Sequence, residues 1–225
     1  MARRTNDTPL TPARVVDAAV ELTRLHGTEG WSIRDLAAAL GSWPNSVYHH
    51  VGDRDAVLRL VLDRVVAELP NPSADLSWQE WFRGFLFGSR PVFLRYVGVA
   101  RLLCRDGPTV PAALPIIDRG VGLLLRAGFG ERAPRAYGVL VDSAFLVIAL
   151  DEDRTLAGSG RDATAGAMLA MAEPSDAGPG WQAMHGYVSQ WIADAETHRE
   201  KLYTYSVEAA IAGLEADLAG RHEPH

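Results

Sequence analysis

From Val15 onward, apolar residues recur every three or four positions, and no stretch alternates with the two-residue rhythm of a strand. Thr11 followed by Pro12 is a helix start, with a hydroxyl cap and proline at the first helical position. Val15, Val16, Ala19, Leu22 and Leu25 then fall on one face, and Gly27 fits the stop. Ser32 is placed to cap a second helix, with Asp35 favourable to its dipole and Ile33, Leu36, Ala37 and Leu40 as its buried stripe. Gly41 ends it. A third helix of about five or six residues starts near Pro44 and stops around His49–Val51, before Gly52. Asp53 caps a fourth, running to about Leu69, with Val57, Leu58, Val61, Leu62 and Val65 on its apolar side.

The two prolines and turn formers of LPNPSADLS (69–77) mark a boundary, dividing the chain into 1–68 and 69–225. Beyond it, Ser77 caps a helix from Trp78 to about Ser89, where Pro91 is expected to interrupt or kink it before a continuation to Cys104. DGPTVP (106–111) is a loop, and residues 112–127 form an apolar helix stopped by Gly128. Pro134 opens a helix of about 17 residues through Tyr137, Leu140, Val141, Ala144, Phe145, Ile148 and Leu150. Residues 158–180 read as a connection holding at most one short helix, and helices over about 181–194 and 198–219 close the chain. The expected fold is all-α, in two parts.

The 225 residues are 48% hydrophobic and 22% charged, an ordinary globular balance. A single cysteine, Cys104, excludes a disulfide or multi-thiolate metal site within one chain. The first residues lack the apolar run of a signal peptide, and no stretch approaches the roughly 18 uninterrupted apolar residues of a membrane span. A cytoplasmic protein with no membrane role is expected. The net charge of −6 argues against nucleic acid until its distribution is considered. Residues 1–68 hold eight Arg against nine Asp and Glu, so most of the excess lies elsewhere, and Arg3, Arg4, Arg34 and Arg54 are available for phosphates.

Two short helices joined by a Gly-containing turn, over Trp31–Leu58, form a helix-turn-helix, whose second helix enters the DNA major groove. On so short a helix, Trp43, Pro44, Asn45 and His49 are the groove-facing candidates, and the Asn45 amide suits adenine. For Trp43, packing on the domain surface is an equal alternative. Ser46, Tyr48 and Arg54 carry donors suited to phosphate oxygens, and Arg54 sits at a helix N-terminus. Val47, Val51 and His50 are expected in the core. His49 and His50 make no metal pair, because adjacent helical residues diverge by about 100°.

Gly41, Ser46, Val47, Tyr48, His50, Val51, Arg54 and Leu58 stand at the spacing of the tetracycline-repressor (TetR) family signature, roughly G-x-x-x-x-[ST]-[LV]-Y-x-H-[FV]-x-x-[KR]-x-x-x-L. Residues 10–68 thus resemble that family. The rest resembles it only in helical layout, and Trp43 and Pro44 depart from its common pattern. The resemblance implies that Arg34 reaches a base. It also implies a C-terminal domain that encloses a small-molecule pocket and forms a homodimer on a palindromic operator.

The sequence offers material for both. Aromatics concentrate in Trp78, Trp81, Phe82, Phe85, Phe87, Phe93 and Tyr96, and again in Trp181, Tyr187 and Trp191 beside Met184. They read equally as core. The polar residues Arg101, Asp142, Ser143 and His185 lie inside apolar helices, and Asp142 is expected to be largely buried. Trp81, Phe85, Arg101, Asp142, Phe145 and His185 are therefore the ligand-binding candidates. For pairing, the helices at 134–150 and 198–219 qualify. Tyr203, Val207, Ala210, Ile211, Leu214 and Leu218 form a stripe that either meets a partner or closes the monomer.

No Gly-rich phosphate loop, Gly-x-Ser-x-Gly elbow, His-Glu-x-x-His or paired carboxylates are apparent, so no catalytic residue, metal ligand or cofactor is expected. The DED run at 151–153 reads as a solvated helix end. The expected function is a ligand-responsive repressor releasing double-stranded DNA when a small, largely apolar effector binds. The alternative is a DNA-binding regulator controlled by a partner protein.

Overall fold

The computed structural model describes residues 9–156, 161–171 and 177–220. All secondary structure among the described residues is helical. The chain divides into two compact units, Met1–Gly138 and Val139–His225. Residues 69–77 are a connection inside the first unit.

The first unit opens with α1 (Pro12–His26), α2 (Ile33–Ala39), α3 (Pro44–Val51) and α4 (Arg54–Val66). Each start and stop has a local cause. Thr11 Oγ1 accepts from the Arg14 amide, and Gly27 ends α1 at φ +71°. Ser32 and Asp35 form a reciprocal capping box: the Asp35 amide donates to Ser32 Oγ, while Ser32 N–H donates to the Asp35 carboxylate at 2.8 Å. Asp53 Oδ1 accepts from the Ala56 amide at 2.8 Å, starting α4. Val15, Ala19, Leu36, Val47, Val57, Val61 and Val65 are almost completely buried and make the core of this three-helix head with α4.

The same unit continues with α5 (Trp78–Arg95), α6 (Val99–Asp106), a 3-10 turn at Pro111–Ala113 and α7 (Leu114–Arg126). The expected interruption at Pro91 does not occur. α5 runs through it, and the chain breaks instead at Gly98, which has φ +92°. Proline removes one backbone donor from α5, and the Pro91 ring is exposed, so it is accommodated on the outer side of the helix. Gly98 is the position where only glycine fits: a methyl there would overlap Oγ1 of Thr28.

Helix α8 (Ala133–Leu156) starts in the first unit and continues into the second, which also holds α9 (Arg161–Leu169), α10 (Pro179–Ala193) and α11 (Ala195–Ala219). α8 is longer than its sequence pattern suggests, and Asp151 and Glu152 of the DED run are not a solvated end. Asp151 pairs with Arg199 of α11 at 3.3 Å, and Glu152 is only 6% exposed. The stretch Gly130–Glu152 has the length and mean hydropathy (1.5) of a membrane span, closer to one than the sequence reading allowed. Its apolar residues Leu140, Ala144, Phe145, Ile148 and Ala149 are buried in the protein.

Candidate nucleic-acid interface

Helix α3 packs against α1 and α2 and turns its remaining side chains to solvent. Val47 is fully buried and anchors it. Trp43 caps the helix with its carbonyl, which accepts from the Ser46 amide at 2.9 Å, so its side chain has no capping duty. That indole is 81% exposed. Of the two readings for Trp43, packing on the domain surface is thereby removed. Asn45, Tyr48 and His49 are exposed, and Pro44 and Ser46 are partly so. Arg34 is exposed near the start of α2. Trp43, Asn45, Tyr48 and His49 thus form one solvent-facing set, built of one amide, one phenol, one imidazole and one large apolar ring. Arg3 and Arg4 lie outside the described residues.

Two expectations need correction. His50 is exposed, not a core histidine; α3 has too few turns to bury a second residue beside Val47, and Val51 is only half-buried. Arg54 is not a free phosphate donor. Its Nε donates to the Trp31 carbonyl at 3.3 Å and its Nη2 to the Thr28 carbonyl, and its guanidinium lies 5.3 Å from the centre of the Trp31 ring. Trp31 is buried and donates through Nε1 to Thr23 Oγ1 at 3.0 Å, which donates to the Ala19 carbonyl at 2.8 Å. One chain of contacts therefore ties α4 through the α1–α2 loop into α1.

No family model matches the chain. Among curated proteins it is 34% identical over 135 residues to an HTH-type transcriptional regulator of Saccharopolyspora erythraea, covering 60% of this chain and 57% of that protein. It is 44% identical over 72 residues to the HTH-type transcriptional repressor DrrR1 of Streptomyces coeruleorubidus, covering 32% of this chain and 26% of that one. The chain thus spans less than two thirds of the length of these relatives. The solved structure of the TetR family protein ActR of Streptomyces coelicolor, in complex with (S)-DNPA, is 25% identical, with a TM-score of 0.70 over 95% of this chain and 99% of that one.

In sequence and in fold the chain resembles TetR-family regulators.

The head is followed by helices that hold α4 and its C-terminal end. Asp63 accepts from the Ala112 amide at 2.8 Å, tying α4 to the turn before α7. Glu68 accepts from the Tyr96 hydroxyl at 2.8 Å and from Arg95 at 3.0 Å. Burial, followed by the hydrogen bond to Glu68, pushes the Tyr96 phenol above its ordinary pKa. Toward the head, Arg64 pairs with Asp17 of α1 at 3.1 Å. Composition gave no signal for these contacts, because each joins residues far apart in the sequence.

The six ligand-binding candidates are divided between the units. Trp81 and Phe85 are buried and stacked at 5.2 Å, and Trp81 Nε1 donates to the Pro72 carbonyl. A methyl on Gly120 would come within 2.8 Å of Tyr137 and 3.1 Å of Trp81, so this cluster is close-packed core. Phe145 is likewise buried. Three polar candidates are not inside apolar surroundings. Arg101 is half-exposed and pairs with Glu29 at 3.2 Å, Asp142 is exposed, and His185 is exposed beside the Trp181 ring. Asp142 falls on the outer stripe of α8 with Val139, Leu146 and Leu150, rotated about the helix axis away from the buried Leu140, Ala144 and Ile148.

On α11 the apolar stripe closes the second unit. Tyr203, Val207 and Ile211 are buried, while Tyr205 (74% exposed), Ala209, Ala212, Gly213 and Ala216 face outward. The outward face is the one with small residues.

Proposed function

We propose that this chain is a cytoplasmic, homodimeric transcriptional repressor that binds a palindromic operator in double-stranded DNA. It consists of a reading domain at 1–68 and an effector and dimerisation domain at 69–225, with no catalytic role. The observation that carries this reading is the solvent-facing set on α3: a large exposed indole, an amide and a phenol on a helix whose other side is rigidly seated. Asn45 pairs with adenine, Trp43 contacts thymine methyl groups, and Ser46 and Tyr48 bond phosphates. His49 and Pro44 line the same groove, and Arg34 reaches it from α2. One short helix reads too few bases for specificity, and a two-fold dimer doubles them. The exposed stripes of α8 (Val139, Leu146, Leu150) and α11 (Ala209, Ala212, Gly213) supply faces for that pairing.

A small, largely apolar effector binding the C-terminal domain releases the operator, provided it favours the conformation with the wrong head spacing. ActR is described with a small molecule bound, which supports an effector for this relative too. Asp63 and Glu68 give α4 the contacts through which a shift around α5–α7 reaches the head. Selection of bound fragments from random DNA tests the central reading: enrichment of an inverted repeat supports it, and no enrichment at low salt overturns it. A regulator answering only to a partner protein would bind the repeat yet show no melting-temperature rise with any apolar compound.

A further inference from the structure

A cleft of about 320 Å³ opens between α4 and α6, lined by Asp55, Leu58, Arg59 and Leu62 on one side and Leu102, Arg105, Asp106 and Thr109 on the other. Its volume is at the lower end for small-molecule sites. The floor is apolar: Leu58, Leu62 and Leu102 are each at most 6% exposed. The rim is charged on both sides and electrically balanced.

The two charged pairs differ. Arg105 and Asp106 form a bidentate bond, with both distances 2.7 Å, and satisfy each other. That guanidinium, with Arg59 adding to the field, holds Asp106 below the usual carboxylate range. Asp55 and Arg59 sit one helical turn apart on α4, yet make no hydrogen bond or ion pair with each other or with another described side chain. One anion and one cation without a hydrogen-bonded side-chain partner, Asp55 in the field of Arg105 and Arg59 in that of Asp106, therefore stand at the mouth of a leucine-floored cleft.

We propose that this cleft binds a small zwitterion with an apolar body, of the size and kind of an apolar α-amino acid. Its ammonium meets Asp55, its carboxylate meets Arg59, and its side chain covers Leu58, Leu62 and Leu102. The charge balance excludes the simpler ligands. An organic anion or cation alone meets as much repulsion as attraction across this rim. An uncharged apolar molecule strips water from Asp55 and Arg59 and returns no partner. The site is separate from the close-packed aromatic cluster around Trp81. Occupancy bridges the first two turns of α4 to α6, and its effect on DNA rests on the operator-binding reading above; occupancy itself does not.

The test is therefore run on the full chain without DNA. L-phenylalanine is titrated while the melting temperature is followed, beside phenethylamine and 3-phenylpropionate, which each lack one charge. The expected result is a saturable rise with L-phenylalanine and binding of each analogue weaker by about tenfold or more. Asp55→Asn and Arg59→Ala abolish the rise while circular dichroism is unchanged. Thr109→Tyr, which narrows the mouth and leaves both charges in place, abolishes it as well. No rise with L-phenylalanine, equal rises with the analogues, or a rise retained in Asp55→Asn and Arg59→Ala each overturns the proposal. A chain that binds L-phenylalanine in this pattern but enriches no operator leaves this site standing and removes only the repressor reading.

Discussion

The guanidinium of Arg54 lies 5.3 Å from the centre of the buried Trp31 ring and donates to the carbonyls of Trp31 and Thr28. Arg54 is thereby the clasp between the N-terminus of α4 and the α1–α2 loop. A half-buried cation with two carbonyl partners and a ring face contributes on the order of 2–3 kcal/mol. Arg54→Ala is expected to lower the melting temperature by several degrees, and Arg54→Lys, which cannot reach both carbonyls in one plane, to restore only part. Thermal denaturation checks this. An unchanged melting temperature with lost DNA binding would return Arg54 to the phosphate backbone.

Gly98 and Thr28 form a second junction between the head and α6. Thr28 is 1% exposed, its amide donates to the Val97 carbonyl at 2.8 Å, and Gly98 at φ +92° leaves no room for a side chain. Gly98→Ala combines a left-handed backbone cost of roughly 1–2 kcal/mol with a steric overlap. The double variant Thr28→Ala/Gly98→Ala is expected to recover the steric part and keep the backbone part, so a double-mutant cycle should show clear coupling. Additive effects would mean that the two residues do not meet.

The Ser32–Asp35 capping box gives α2 a pH-dependent start. Hydrogen bonds from the Ser32 side chain, and then from its backbone, hold the Asp35 carboxyl below the ordinary carboxylate range. A lowered folded-state pKa means that the contribution is complete above the unfolded-state value and is lost as pH falls through the folded one. Asp35→Asn is therefore expected to melt lower than wild type at neutral pH, and the gap should close in acid. A gap constant down to the acid limb would show that the carboxylate charge has no part in the cap.

On the second unit, the outward stripes of α8 and α11 predict the dimer. Leu146→Glu and Ala212→Glu place charges on exposed positions, so the monomer should fold normally. Light scattering is expected to show a dimer for wild type and monomers for both variants at micromolar concentration. A wild-type monomer would end the two-fold account.

Much of the head was legible because its signals are local. Thr11, Ser32, Asp53 and the glycines at 27, 41 and 52 punctuate the chain within three or four residues of what they control. The exposure of Trp43, Asn45, Tyr48 and His49 follows from the shortness of α3. Less was legible where partners are distant. Nothing in the sequence near Arg54 announces the carbonyl of Thr28, and nothing near Pro91 announces that the break belongs to Gly98. Asp142 and His50 were misplaced for one reason: apolar neighbours in sequence say that a face is buried, but not which residue of a turn lies on it.

The most direct measurement is a hydroxyl-radical footprint of the chain on its best selected DNA fragment, repeated with Asn45→Ala/Tyr48→Phe. The account predicts two protected patches one helical turn or a multiple apart, symmetric about a dyad and lost in the double variant. A single unsymmetric patch, or protection that survives loss of Asn45 and the Tyr48 hydroxyl, would contradict it.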